Sequence, residues 1–198
     1  TLDSCAAGLE EMAAVKNLTL DGNLIGGARS KDNDGRAPWI DIDSNLAGVI
    51  ALCEAMKSAS ISILSIANCE LGPEAMTTLA KSIPEMAAVN SINVMKNPIG
   101  DAGLAALMAA IKGTAVKTIT GLVEGQISID YSNQELEPMD VKILAADIEF
   151  SPFSAAVNFL DVSGNSIGAD GARALLQAIP RSKLQTIVIG MKDPISIS

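Results

Sequence analysis

Histidine is absent from the 198 residues, which excludes histidine-based nucleophile triads, the H-E-x-x-H zinc site and any imidazole proton relay. Aromatic residues make up only 3% of the chain, too few to stack a row of bases. Positive charge is also scarce: 14 Lys and Arg face 23 Asp and Glu, a net charge of −9. Such a balance repels a phosphate backbone, so no nucleic-acid partner is expected. Long hydrophobic runs are missing too. The stretch Leu104 to Ile111 is bounded by Asp101 and Lys112, so no membrane-spanning helix, and hence no direct membrane insertion, is expected. No basic segment followed by an apolar one marks the start as a signal peptide. The opening residue is Thr1, which suggests a processed product or part of a longer chain.

Cysteine is sparse and odd in number. Cys5, Cys53 and Cys69 lack metal-ligand spacing and point to buried thiols in a reducing, intracellular setting, most simply the cytoplasm, with an organelle left open.

What is abundant is repetition. Val15-x-x-Leu18-x-Leu20-x-x-Asn23-x-Ile25-Gly26 aligns with Ile61-x-x-Leu64-x-Ile66-x-x-Cys69-x-Leu71-Gly72. Val89-x-x-Ile92-x-Val94-x-x-Asn97-x-Ile99-Gly100 and Val157-x-x-Leu160-x-Val162-x-x-Asn165-x-Ile167-Gly168 follow the same template. A weaker copy, Leu184-x-x-Ile187-x-Ile189, lies near the end. The step from Cys69 to Asn97 sets the length of one unit. Asn23 to Cys69 is one such unit plus an insertion, and Asn97 to Asn165 is two units plus a shorter one. Two frames fit the missing unit: Val116-x-x-Ile119 running to Leu122, and Ile129-x-Tyr131-x-x-Gln134-x-Leu136. The first is preferred, which makes 123–134 an irregular insertion beside the one at 27–45.

The alternation of apolar residues describes a short strand with one face buried. The Asn that follows can satisfy backbone groups where the ladder ends, and Cys can stand there as a small hydrophobe with a weak donor. Helical spacing comes next: Met76, Leu79 and Ile83; Leu104, Leu107, Met108 and Ile111; Val141, Leu144, Ala145 and Ile148; Ala172, Leu175, Leu176 and Ile179. Val49, Leu52 and Met56 repeat it after the first insertion. Pro73 and Pro138 mark helix starts, where a missing N–H costs little. Ser4 to Ala14 reads as the returning helix of a further repeat, and no polar cap is evident at either end of the stack.

The template resembles the leucine-rich repeat, and its unit length with the Ile-Gly-x-x-Gly-helix continuation is most similar to the ribonuclease-inhibitor-like subclass. The resemblance implies an α/β right-handed solenoid, a horseshoe arc with parallel strands on the concave face and helices on the convex one. It also implies a single domain over 1–198 of about six units, and a non-catalytic protein–protein interaction scaffold.

Three constellations compete with that reading. Gly164-x-x-x-Gly168-x-x-Gly171 follows a strand and precedes a helix, as a nucleotide-binding loop does. However, Gly100 and Gly103 repeat two of its glycines while Lys96 replaces the first, which is the behaviour of a structural turn. Asp32-Asn33-Asp34-Gly35 hints at calcium but lacks the full EF-hand loop and its terminal Glu. Paired acids such as Asp41 and Asp43 suit a solvated surface. No nucleophile has a base beside it, so no enzyme, cofactor or metal is expected. The candidate protein-binding residues are the outward strand positions Thr19, Asp21, Ser65, Asn93, Met95, Thr120, Phe159 and Asp161. Trp39 and Arg36 in the first insertion join them, because Trp and Arg are favoured interface anchors. A structural subunit of a large assembly, held through its ends or helical face, is the alternative, and a nucleotide-dependent enzyme the remote one.

Overall fold

The computed structural model describes residues 15–30 and 39–190. They fall into two compact units, Thr1–Val116 and Lys117–Ser198. In the first, β1 (Asn17–Thr19) is followed by the antiparallel pair β2 (Arg29–Ser30) and β3 (Trp39–Ile40) and by α1 (Ala47–Ser58). Then come β4 (Ile63–Ser65), α2 (Pro73–Ser82), β5 (Ser91–Asn93) and α3 (Gly100–Ala110). The second unit runs β6 (Ser128–Asp130), α4 (Pro138–Phe150), β7 (Phe159–Asp161), α5 (Gly168–Ala178) and β8 (Thr186–Val188). Each unit holds one parallel three-stranded sheet, in the orders β1-β4-β5 and β6-β7-β8. The expected helix over Ser4–Ala14 lies outside the described residues.

The central residue of each parallel strand is its most buried position. Leu18, Leu64 and Ile92 stand in one registered row, and Ile129, Leu160 and Ile187 in another. Leu64, Ile92 and Leu160 have no accessible surface, a burial that stabilises by about 2 kcal/mol per side chain. The predicted stripes of α1, α2 and α4 are buried throughout. In α3, Leu107 and Ile111 are buried while Leu104 and Met108 are half-buried. The α5 stripe is corrected: Gly171, Leu175 and Ala178 face inward, whereas Leu176 is 63% exposed. Gly171 lets this helix approach α4 so closely that an added Cβ would lie 3.1 Å from that of Val141. Gly103 does the same for α3 against Met76 on α2, also at 3.1 Å.

The recurring asparagine is a clasp between consecutive rungs. Asn97 Oδ1 accepts from the Cys69 and Leu71 amides at 2.9 and 3.0 Å. Its Nδ2 donates to the carbonyls of Ile66, Val94 and Met95. Asn165 repeats all five bonds: it accepts from Gln134 and Leu136 and donates to Tyr131, Val162 and Ser163. A side-chain amide suits this point because it offers two N–H donors and an oxygen with two lone pairs. The Cys69 thiol donates instead to the Leu20 and Ala67 carbonyls, at 3.2 and 3.4 Å. The β1 rung therefore closes its own turn, Ile25 N–H donating to the Asn23 carbonyl at 2.8 Å.

One register expectation is overturned. The strand of the missing unit is Ser128–Asp130, paired with β7, and so belongs to the frame Ile129-x-Tyr131. The preferred Val116–Leu122 forms only isolated bridges at Thr118 and Thr120, and the 123–134 stretch contains a rung rather than a pure insertion. The physical reason lies in a buried acid that the segment must serve, described below.

Candidate protein-binding surfaces

The outward strand residues form rows because the strands pair without slip. In the first unit, Thr19, Ser65 and Asn93 are consecutive partners across the sheet, and Asn17, Ile63 and Ser91 form the row beside them. Thr19 is exposed, Ser65 and Asn93 half-buried, and Ile63 is 41% exposed. Asp21 is exposed, but its Oδ1 accepts from the Ala67 amide at 2.8 Å, tying the β1 rung to the next. Met95 is buried and offers no surface to a partner.

In the second unit the rows are Ser128, Phe159 and Thr186, then Asp130, Asp161 and Val188. Phe159 and Asp161 are half-buried. The two adjacent carboxylates are engaged with their own chain: Asp130 Oδ1 accepts from the Ser132 amide at 2.9 Å and Asp161 Oδ1 from the Ser163 amide at 2.8 Å. Asn93 makes the same turn with Met95 N–H. The Ser132 donors hold the Asp130 carboxyl below its ordinary range. These acids shape strand ends.

Thr120 is a correction. It is buried rather than outward, and so is Thr118. Both hydroxyls donate to Asp147 Oδ2 on α4, at 2.5 and 2.6 Å. The amides of Ile119 and Thr120 reach the same carboxylate at 3.0 and 3.1 Å. Four donors compensate a charge that has no accessible surface. Burial nevertheless dominates and raises the Asp147 carboxyl above its usual range, against the lowering by the hydroxyls and amides. Burial likewise raises the nearby Tyr131 phenol, with the Asp147 charge adding to it. Spacing alone could not reveal this site, because Asp147 stands a whole repeat beyond Thr120 and sits in a helical stripe. The one available signal is an Asp interrupting the apolar run Ile143 to Ile148.

The described ends of the first insertion are anchored by side-chain contacts. Arg29 pairs with Asp41 across the β2–β3 pair at 2.5 Å. Asp43, which from sequence suits a solvated surface, caps α2: its two oxygens accept from the Gly72 and Glu74 amides, each at 2.8 Å. That site favours a negative charge at a helix N-terminus. Gly72 is required there because an added Cβ would lie 2.5 Å from Asp43 Oδ2. Trp39 belongs to β3, paired with Ser30; its side chain, and Arg36, lie outside the described residues.

The glycine triplet has structural work at each position. Gly164 is left-handed at φ 70, with Asn133 Oδ1 overlapping the place where a Cβ would stand. Gly168 begins α5 at φ 61 against Pro138, and Gly171 packs on Val141. Cys53 and Cys69 are free and buried, and burial raises both thiols. Among the described residues no group of three acidic or cysteine side chains is placed to hold a metal, and no helix is long and apolar enough to cross a membrane.

Two segments, 89–108 and 157–176, match the family model described as Leucine Rich repeat. These are the two rungs that carry the complete asparagine clasp. No curated protein matches the sequence. Among solved structures, the tropomodulin C-terminal domain from Caenorhabditis elegans is similar at 13% identity and a TM-score of 0.37. The match covers 97% of this chain and 84% of that one.

Proposed function

We propose that the chain is a non-catalytic protein–protein interaction module, a right-handed leucine-rich-repeat solenoid of the ribonuclease-inhibitor-like, horseshoe type with about six repeat units. The observation that carries this reading is the pair of registered strand faces. Their side chains are short, mixed polar and apolar, and at least partly exposed at Thr19, Ile63, Ser65, Phe159 and Asp161. Such repeats characteristically present extended strand surfaces to a polypeptide, while the acids that suggest chemistry are consumed by turns and caps.

Ile63→Asp and Phe159→Asp place charge in the middle of each face without entering the core. Capture of a co-purifying protein by the immobilised chain is expected to fall at least tenfold, with circular dichroism unchanged. Undiminished capture by both variants sinks the strand-face reading. The alternative, a structural subunit gripped by its ends, draws on the exposure of repeat-core positions at both edges. It predicts that salt washing leaves the chain in its parent assembly, or aggregated once freed. Titration with NAD or ATP tests the remote enzyme reading: an unmoved melting temperature and Trp39 fluorescence at millimolar ligand eliminate it.

A further inference from the structure

α2 stands between α1 and α3, and its two flanks differ. On the α3 side the packing is closed, with Gly103 seated against Met76. On the α1 side Lys57 reaches Glu85 at 3.2 Å, just past the end of α2. Between the two helices an open cleft of about 330 Å³ remains, lined by Leu46, Pro73, Glu74, Thr77, Thr78 and Lys81. Leu46 and Pro73 are its apolar part, and Ile50, one helical turn beyond Leu46, is 49% exposed.

Glu74, Thr77, Thr78 and Lys81 occupy one stripe of α2, at i, i+3, i+4 and i+7. The two threonine hydroxyls already donate to the Pro73 and Glu74 carbonyls, at 2.7 and 2.9 Å. The middle of the stripe can therefore be covered without stranding a donor. Its charged ends are not spent in this way. Lys57 uses its charge on Glu54 and Glu85, whereas among the described residues neither Glu74 nor Lys81 has an ion-pair partner. Both are exposed, and seven residues of helix set them about 10 Å apart.

Such a stripe fits an element with a cation and a carboxylate at the same separation, in the opposite order, and small residues between them. This chain contains one. Read backwards, α2 presents Lys81, Thr78, Thr77 and Glu74. A half-turn about an axis crossing the helix between Thr77 and Thr78 sets Lys81 of one copy against Glu74 of the other, and does so twice. Threonines face each other at the axis, where their small size lets the helices approach. The antiparallel order also brings the positive N-terminal end of each helix beside the negative C-terminal end of its partner. The same rotation turns the two clefts toward each other, so that Leu46 and Ile50 of both copies meet.

We propose that α2 and the cleft beside it dock a second copy of this chain, in an antiparallel pair. The interface is isologous, so it closes at the dimer, and it uses none of the strand-face residues.

Sedimentation and light scattering of the whole chain across a concentration series test the proposal. The mass is expected to rise to that of a dimer and stop, and added salt should shift the transition to higher concentration. Glu74→Lys sets cations against each other at both ends of the helix pair, and Lys81→Glu sets carboxylates there. Each alone is expected to raise the dissociation constant at least about tenfold, with circular dichroism unchanged. Mixed in equal amounts, the two variants are complementary and should form a 1:1 dimer of near wild-type strength. Should Glu74→Lys fail to fold, Thr78→Trp replaces it as a single variant: a bulky side chain at the axis holds the helices apart and should weaken the dimer as Lys81→Glu does. A wild-type chain monomeric at millimolar concentration overturns the proposal and leaves the cleft to a different polypeptide. So does association that passes the dimer, that the single variants do not weaken, or that the mixture of folded charge variants does not restore.

Discussion

The rung pair β4-α2/β5-α3 and the pair β6-α4/β7-α5 use the same parts for their inner contact and different parts for their flank. Both close on a five-bond asparagine, Asn97 or Asn165, and both seat a glycine of the second helix against the first. Both also begin the first helix at a proline, Pro73 or Pro138. In the first unit, however, the preceding elements are α1 and the Asp43 cap. In the second the preceding element is the Thr118–Thr120 segment, held by the buried Asp147 of α4 itself. Rung-to-rung contact is thus a repeated solution, whereas each unit supports its leading edge by a device of its own. A second contrast is local. Lys96 and Gly164 share the left-handed position before the clasp, at φ 59 and 70. The template demands the conformation; glycine is demanded only where Asn133 crowds it.

The strongest way to break the likeness is to remove either clasp. Asn97→Ala and Asn165→Ala each orphan backbone groups in a buried turn, and each should cost on the order of 4 kcal/mol. Hydrogen exchange should accelerate at Cys69 and Leu71 in the first variant and at Gln134 and Leu136 in the second. Crossed effects would refute the equivalence of the two clasps. Next in size is the device unique to the second unit. Asp147→Ala strands four donors and should cost about 3 kcal/mol.

Its pH dependence has a definite sign. Because the folded carboxyl is raised above its unfolded value, the native state binds a proton that the unfolded chain has released. Stability contributed at Asp147 is therefore fully present below the ordinary carboxylate range and is lost as pH rises through the raised value. Urea midpoints measured across that interval should slope downward in the wild type and flatten in Asp147→Asn; an identical slope in both would remove Asp147 as its source.

Gly164→Ala should cost about 2 kcal/mol, from its left-handed backbone and the Asn133 contact. The same measurement on Lys96→Gly should show no loss, which sharpens the contrast between the paired positions. The smallest effect belongs to the first unit's own device. Asp43→Ala removes two cap bonds from α2 and should lower stability by about 1 kcal/mol, read as a shift in melting temperature.

Much of the architecture was legible because its cause is periodic. Leu18, Leu64, Ile92 and Leu160 occupy equivalent template positions and belong to registered parallel strands, as alternation requires. Asn97 and Asn165 were identifiable as turn anchors, although not as clasps to the rung before. The second unit's first rung lies in the frame Ile129-x-Tyr131, although Val116-x-x-Ile119 satisfies the same apolar pattern, and period alone cannot choose between them. Among candidate surface residues, Thr19, Asp21, Ser65, Asn93, Phe159 and Asp161 keep at least part of their surface. Met95 and Thr120 do not, because a strand position is outward only if nothing lies over it.

Sequence by itself determined the rung: a short strand, an asparagine turn and a returning helix, since each depends on residues close together in the chain. Tertiary structure decided which rungs pair and which acids are spent. The carboxylates of Asp43 and Asp147 find their donors a full repeat away along the chain, where most are backbone amides that any sequence supplies, joined at Asp147 by the Thr118 and Thr120 hydroxyls. A bond to a backbone amide leaves no mark on residue identity at the donor end, so only folding reveals it.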